Sequence, residues 1–204
     1  YYSDGAQKPV TDYEIISGDS LEVGTQKVCI KSGKLKTFVT VTVKDKIPWE
    51  GLGSETSPYL ISTAKDLYNL SYYVNTKLMA TTGVYFEMTD NIDLSDYDNW
   101  TPIGSDRNQF DGVFDGDGYV IDNLTSLRGG LFGTVCQNAV IKNVGVASGE
   151  IGKENTYTSF LGGIAKWSNG ADFINCWNGA DIYGSGYMGG IVGTVRDGGK
   201  SNIT

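Results

Sequence analysis

Nine aspartates fall between residues 90 and 122: Asp90, Asp93, Asp96, Asp98, Asp106, Asp111, Asp115, Asp117 and Asp122. Carboxylates at this density could do two kinds of chemistry. A close pair can serve as general acid and base, and a convergent set can hold Ca2+. Asp111, Asp115 and Asp117 are the Ca2+ candidates, and Asp115 with Asp117 is the candidate acid pair. Their spacing fits neither role well. An EF-hand loop wants oxygen ligands at positions 1, 3, 5 and 12 with Gly at 6, and Asp111-Gly-Val-Phe-Asp-Gly116 has an apolar residue at position 3. Asp-Gly pairs are also ordinary turn formers. Solvated turns are therefore the preferred reading, with a Ca2+ site and a catalytic pair as its alternatives.

Aromatic side chains form the second candidate set. Trp100, Tyr157, Trp167, Trp177, Tyr183 and Tyr187 lie near turns or Gly pairs, where a flat ring can stack on a sugar or on a partner side chain. Trp167 and Trp177 are the best ligand-stacking candidates, because each replaces a smaller residue at the matching position of a repeat described below. Against this, Trp and Tyr also simply fill pleated, half-buried surface.

Much chemistry is excluded. The chain has no His, which removes the Ser/His triad, the His-Zn site and the His proton shuttle. A net charge of −8 without any basic stripe argues against nucleic acid, which needs clustered Lys and Arg. Cys29, Cys136 and Cys176 show no C-x-x-C spacing, so neither a disulfide framework nor a zinc site is indicated. No Gly-rich phosphate loop and no apolar run long enough for a membrane span occurs. No cofactor is implied, beyond the Ca2+ alternative.

The elements that must position these residues announce themselves as repeats. Arg128-Gly-Gly-Leu-Phe-Gly-Thr-Val135 returns as Leu161-Gly-Gly-Ile-Ala-Lys-Trp167 and as Met188-Gly-Gly-Ile-Val-Gly-Thr194, with Gly130, Gly163 and Gly190 spaced by 33 and 27 residues. A second set reads apolar-x-Asn-apolar at Asn123, Asn143 and Asn175, with weaker members at Asn91 and Asn202. Such self-similarity marks a solenoid, in which each coil buries its apolar face only against its neighbours. The spacings suggest coils of about twenty residues with insertions. Asn123, Asn143 and Asn175 are expected to form a structural ladder of coil-to-coil amide hydrogen bonds. The Gly pairs are expected where the chain turns with positive φ or approaches another backbone closely.

In chain order, residues 1–45 form a separate β unit without Gly pairs. It contains a hairpin in which Val39, Val41 and Val43 alternate with Thr40 and Thr42, the pattern of one buried face. Residues 46–58, rich in Gly, Ser and Pro, read as a linker. The solenoid occupies 59–204. Thr63-Ala-Lys-Asp66 is a capping box, and Ala64, Leu67, Leu70 and Val74 recur at helical spacing. This predicts one helix over about 64–75, placed as a lid on the open end of the stack.

Tyr2-Ser-Asp-Gly5, Val10-Thr-Asp-Tyr13 and Gly24-Thr-Gln-Lys-Val28, followed by the hairpin, resemble the second half of bacterial immunoglobulin-like surface domains. Tyr59-Leu-Ile61, Asn91-Ile-Asp-Leu94, Trp100-Thr-Pro-Ile-Gly104 and Phe110-Asp-Gly-Val-Phe-Asp-Gly-Asp-Gly-Tyr119 resemble the start of right-handed parallel β-helix domains on bacterial surface proteins. The Gly-pair repeats look like the GLUG motif of such proteins and of IgA-cleaving metallopeptidases. The peptidase chemistry does not carry over, since its His-Glu-x-x-His helix needs His.

The expected architecture is therefore all-β: a partial immunoglobulin-like sandwich, then a right-handed parallel β-helix with one N-terminal capping helix. The resemblance implies a non-catalytic structural or adhesive module of a larger extracellular or cell-wall-attached protein. Such a module would continue at both ends and face a glycan or protein surface. The rival is a carbohydrate-binding or carbohydrate-active β-helix, since pectin lyases and polygalacturonases use that scaffold. An acidic pair with Lys or Arg beside a cleft would mark the rival. A substrate-docking segment of a surface protease is a third option.

Overall fold

The computed structural model describes residues 14–15, 24–43, 47–154, 160–196 and 201–204. The motifs at Tyr2–Gly5 and Val10–Tyr13, and the candidate Tyr157, lie outside the described residues. The chain divides into two compact units, Tyr1–Ile47 and Pro48–Thr204.

In the first unit, Gly24–Ser32 and Leu35–Val43 pair antiparallel around a two-residue turn, and Glu14–Ile15 adds a third strand along Gly24–Ser32. Gly33 occupies the turn with φ +59°, a conformation Gly adopts without steric cost. Alternation predicts a buried face through Val39, but Val39 is 38% and Phe38 67% exposed, while Val28 across the ladder is 2% exposed. Three strands by themselves offer little depth in which to bury such a face.

The second unit is a parallel β-solenoid. Its longest sheet stacks Tyr59–Ile61, Tyr85–Met88, Val113–Asp115, Val140–Lys142 and Asp172–Ile174, one strand from each of five coils. A second face stacks Ile92–Asp93, Val120–Asp122, Gly145–Val146 and Trp177–Asn178, and a third Leu124–Ser126, Gly149–Gly152 and Asp181–Tyr183. A fourth face stacks Phe132–Val135, Ala165–Ser168 and Val192–Val195, with Leu161–Gly162 and Met188–Gly189 paired nearby. All these pairings are parallel.

The register places Phe86, Phe114, Ile141 and Phe173 in one inward column that ends at an isolated bridge to Ile203. The first four are at most 1% exposed. Strand neighbours lie roughly 4.8 Å apart, so each side chain of the column lies over the next and a coil that could bury little alone buries a continuous core. Successive members of the column are 28, 27, 32 and 30 residues apart. Coils are thus near thirty residues and not the twenty that the Asn spacing suggested.

The helix spans Ala64–Asn75, and both halves of its capping box form, Thr63 accepting from the Asp66 amide while the Asp66 carboxylate accepts from Thr63 N. It leaves the first strand of the longest sheet and takes the place of the other faces in the first coil. Leu67, Leu70, Ser71 and Val74 are buried. Ser71 Oγ donates to Thr101 O (2.7 Å) and Asn75 Nδ2 to Pro102 O (2.9 Å), tying the helix to the second coil.

Pro48–Pro58 belongs to the solenoid unit. Trp49 is buried with its ring centroid 5.4–5.7 Å from Tyr59, Tyr73 and Phe86, and its Nε1 donates to Asp66 O (3.0 Å). Gly51 looks like a linker residue, yet it sits at φ +95° with the Pro58 carbonyl where a Cβ would go. Glycine here serves close packing instead of flexibility.

Close packing also accounts for the Gly pairs. A Cβ on Gly130 would collide with the carbonyl of Gly163, and one on Gly163 with that of Gly190, so the three repeats stand directly over one another. Of the six glycines only Gly129 has positive φ. The expected corner conformation is therefore the minor reason and backbone contact the major one.

Candidate functional site

The polar corners come first, because they absorb most of the candidate residues. Asn143 and Asn175 sit at one corner of successive coils, both in the left-handed region (φ +53° and +52°), where Asn is among the better tolerated residues. Asn175 Nδ2 donates to Asn143 Oδ1 (3.1 Å), and Asn143 Nδ2 donates to Asp115 Oδ1 (3.0 Å) in the coil before. Asn123 is not in this column. It lies at the next corner, between Val120–Asp122 and Leu124–Ser126, where its Nδ2 donates to Asp93 Oδ1 (2.9 Å) and its backbone N–H to Ser148 Oγ (2.9 Å). The twenty-residue step from Asn123 to Asn143 therefore joined two different corners. Asn91 and Asn202 take other partners, the former accepting from Val120 N and the latter donating to Asp172 Oδ1.

Two of the three Ca2+ candidates, Asp115 and Asp111, have carboxylates engaged by donors. Asp115 accepts from Lys142 Nζ at 2.6 Å, from Asn143 and from the Asp117 amide. Burial pushes its carboxyl up, but these hydrogen bonds outweigh burial and hold it below 3.8. Asp111 accepts from Thr82 Oγ1 (2.7 Å) and from both nitrogens of Asn138, which clamps three coils together. Asp117 occupies a turn at φ +48°. Among the described residues no three acidic or thiol groups converge as a metal would need. The positive charge beside Asp115 comes from Lys142.

Chemistry of another kind gathers on the fourth face. A cleft of about 350 Å³ opens between the end of the helix at Asn75, the loop Thr101–Asp106 of the second coil, and Arg128, Thr134, Lys166 and Trp167 of the third and fourth coils. Trp167 pairs in register with Thr134 on one side and Thr194 on the other. Its ring carries two cations: the Arg196 guanidinium lies 3.7 Å and Lys166 Nζ 4.4 Å from ring atoms' centroid, contacts that an aromatic face favours. Arg196 Nη2 also donates to Asp106 Oδ1 (3.0 Å), which accepts from Thr134 Oγ1 (3.0 Å) too. Burial lowers the pKa of Lys166; Asp106 opposes that shift, while Arg196 and Arg128 add to it.

Trp167 continues into an aromatic row. Phe160 meets it edge-on at 5.5 Å between centroids, and Tyr187 stacks on Phe160 at 5.3 Å with the two planes 15° apart. Phe160 holds φ +64°, which is strained for a bulky side chain.

The other aromatic candidates are dispersed. Trp100 is fully buried and donates from Nε1 to Leu131 O (3.1 Å), so it is core and not surface. Trp177 is 48% exposed on the second face, its indole lying over Gly145 of the preceding coil, away from the residues that line the cleft. The expectation from sequence named Trp167 and included none of Lys166, Arg128 and Arg196 among its site residues. The signal was present: Arg128 precedes the first Gly pair and Arg196 follows the third repeat by two residues.

Sequence comparison finds similarity to parts of much longer proteins. Over 104 residues the chain is 34% identical to a protein of Evansella cellulosilytica described as a Gly-rich membrane protein, a match covering 46% of this chain and 11% of that one. Over 194 residues it is 27% identical to halomucin of Haloquadratum walsbyi, covering 89% of this chain and 2% of halomucin. The chain thus spans a small part of either relative. No family model matches it, and no solved structure does. No helix among the described residues is long and apolar enough to cross a membrane.

Proposed function

We propose that this chain is a non-catalytic structural or adhesive segment of a larger protein displayed outside the cell or on its wall, built as a right-handed β-helix of GLUG type behind an immunoglobulin-like unit. The observation that carries this reading is the economy of the polar residues. Most of the carboxylates and amides that could have done chemistry are consumed in holding one coil to the next, at Asp111, Asp115, Asn143 and Asn175. Halomucin and the Gly-rich membrane protein, both far longer than this chain, support a surface setting. The carbohydrate-active alternative asks for two acids in a cleft, and Asp106 is the one carboxylate among the described lining residues. That favours a cleft that binds over a cleft that hydrolyses.

Protease shaving of intact source cells tests the proposal. Peptides from 48–204 should be released without lysis. Recovery of those peptides exclusively from the lysed fraction would overturn it.

A further inference from the structure

The chain has 24 acidic against 16 basic residues, yet its cleft is cationic. Arg128 and Lys166 line it, Arg196 stands at its rim, and Asp106 is their single carboxylate. Asp106 is satisfied by Arg196 and Thr134. Neither Arg128 nor Lys166 is ion-paired among the described residues. Burial is the main cause of the lowered Lys166 pKa; Asp106 opposes the shift, and Arg196 and Arg128 add smaller repulsions. Both changes from the repeat are local to this spot: the second repeat has Lys166-Trp167 where the first has Gly133-Thr134 and the third Gly193-Thr194. The flanking coils thus form the same face with neither residue.

We propose that this cleft binds an anionic sugar, a pyranose bearing a carboxylate or sulfate, with its acid group taken by Arg128 and Lys166 and its ring lying beside Trp167, whose indole holds the Arg196 and Lys166 cations in place. The volume lies within the range of about 300–1,000 Å³ usual for small-molecule sites. Thr101, Ser105, Thr134 and Asn75 line the cleft with groups that hydrogen-bond ring hydroxyls. The aromatic row through Phe160 to Tyr187 extends from Trp167 and gives neighbouring sugar units apolar surface to lie on. A polyphosphate backbone fits less well, because the acidic remainder of the chain repels a long polyanion. The inference deepens the adhesive half of the proposed function. Its failure would leave the surface reading standing, since that is decided separately on cells.

Isothermal titration of the 1–204 chain with four probes tests it: tri-galacturonate, its neutral methyl ester, a sulfated trisaccharide and tri-glutamate, with inorganic sulfate as competitor. At least one of the two anionic sugars should bind, with the methyl ester and tri-glutamate at least about tenfold weaker, the size of one lost charge-assisted hydrogen bond. Lys166→Gly and Trp167→Thr, which restore the residues of the flanking repeats, should each weaken binding about tenfold while keeping the unfolding midpoint. Lys166→Gln supplies the same test if the glycine variant folds poorly. Trp177→Ala should leave binding unchanged. The proposal fails if neither anionic sugar binds, if the ester or tri-glutamate binds as well as the acid sugar, if sulfate alone matches it, or if Lys166→Gln and Trp167→Thr have no effect.

Discussion

Two faces of the same solenoid treat sequence repetition in opposite ways. On the longest sheet the inward column runs Phe86, Phe114, Ile141, Phe173, and every coil contributes a large apolar side chain to the same place. On the fourth face the register runs Thr134, Trp167, Thr194, and the middle coil breaks step. Where a residue recurs, the stack explains it. Where one coil departs and the departures from several coils converge on a cleft, stacking explains nothing, and that is where a ligand is to be sought. The polar corners lie between these extremes, because Asn143 repeats at Asn175 yet meets Asp115 instead of a third Asn.

The contrast is most exposed in the column. Phe114 touches the coils on both sides and packs edge-on against Phe132 at 5.4 Å, with no exposure. Phe114→Ala should cost about 3–5 kcal/mol, the usual loss for a buried aromatic ring. Urea unfolding should show the midpoint falling with little change in slope. Trp167→Thr should cost far less on the same assay. Equal losses would erase the distinction between the two faces.

The Gly-pair column should come next. Gly163→Val puts a branched side chain against the Gly190 carbonyl and the Asn178 side chain, and overpacking of that kind costs about 1–3 kcal/mol. Gly190→Ala is the matched control, since a Cβ there meets nothing within 4 Å, and its thermal midpoint should hardly move. A smaller loss, about 1 kcal/mol, is expected for Thr63→Ala, which removes one half of the capping box. Circular dichroism at 222 nm combined with urea titration measures it.

The difference between the two faces also decides what could be read from sequence. The Gly pairs stand in register, so their spacing reported real coil boundaries, and the helix carried its own cap and period in Thr63, Asp66, Leu67, Leu70 and Val74. The Asn set misled because Asn suits any left-handed corner, and each coil has more than one: Asn123 and Asn143 answer the same backbone demand at different corners. Their twenty-residue separation was a distance along part of a coil. Coil length was legible instead in the 33- and 27-residue steps of the Gly pairs and in Phe86, Phe114 and Phe173, which the Asn spacing passed over. The cleft was hidden for a related reason. Asp106, Arg128, Lys166 and Arg196 lie in four successive coils, so their proximity depends on the register and no short motif contains them.

The smallest expected effect concerns the corner at Asp115, and it has a sign. The folded carboxyl is held below its unfolded value of 3.8, with the bonds from Lys142, Asn143 and the Asp117 amide outweighing the upward push of burial. A depressed acid contributes stability that is fully present above pH 3.8 and is lost as the pH falls through the lower, folded value. Lys142→Gln removes the largest of the lowering contributions. It should cost at most about 1 kcal/mol at pH 7, as a partly exposed ion pair does, and nothing once both forms of Asp115 are protonated. Midpoints of the two proteins should therefore differ at pH 7 and converge as the pH falls through the folded value of Asp115, below 3.8. Millimolar Ca2+ should shift neither: in the parent the Asp115 oxygens are spent on Lys142 and Asn143, and in the variant no three acidic groups among the described residues converge to hold the ion. A rise in the Lys142→Gln midpoint with Ca2+ would mean that the ammonium had been standing where a cation can bind, and would move this corner from the repeating, structural side of the molecule to the side that binds.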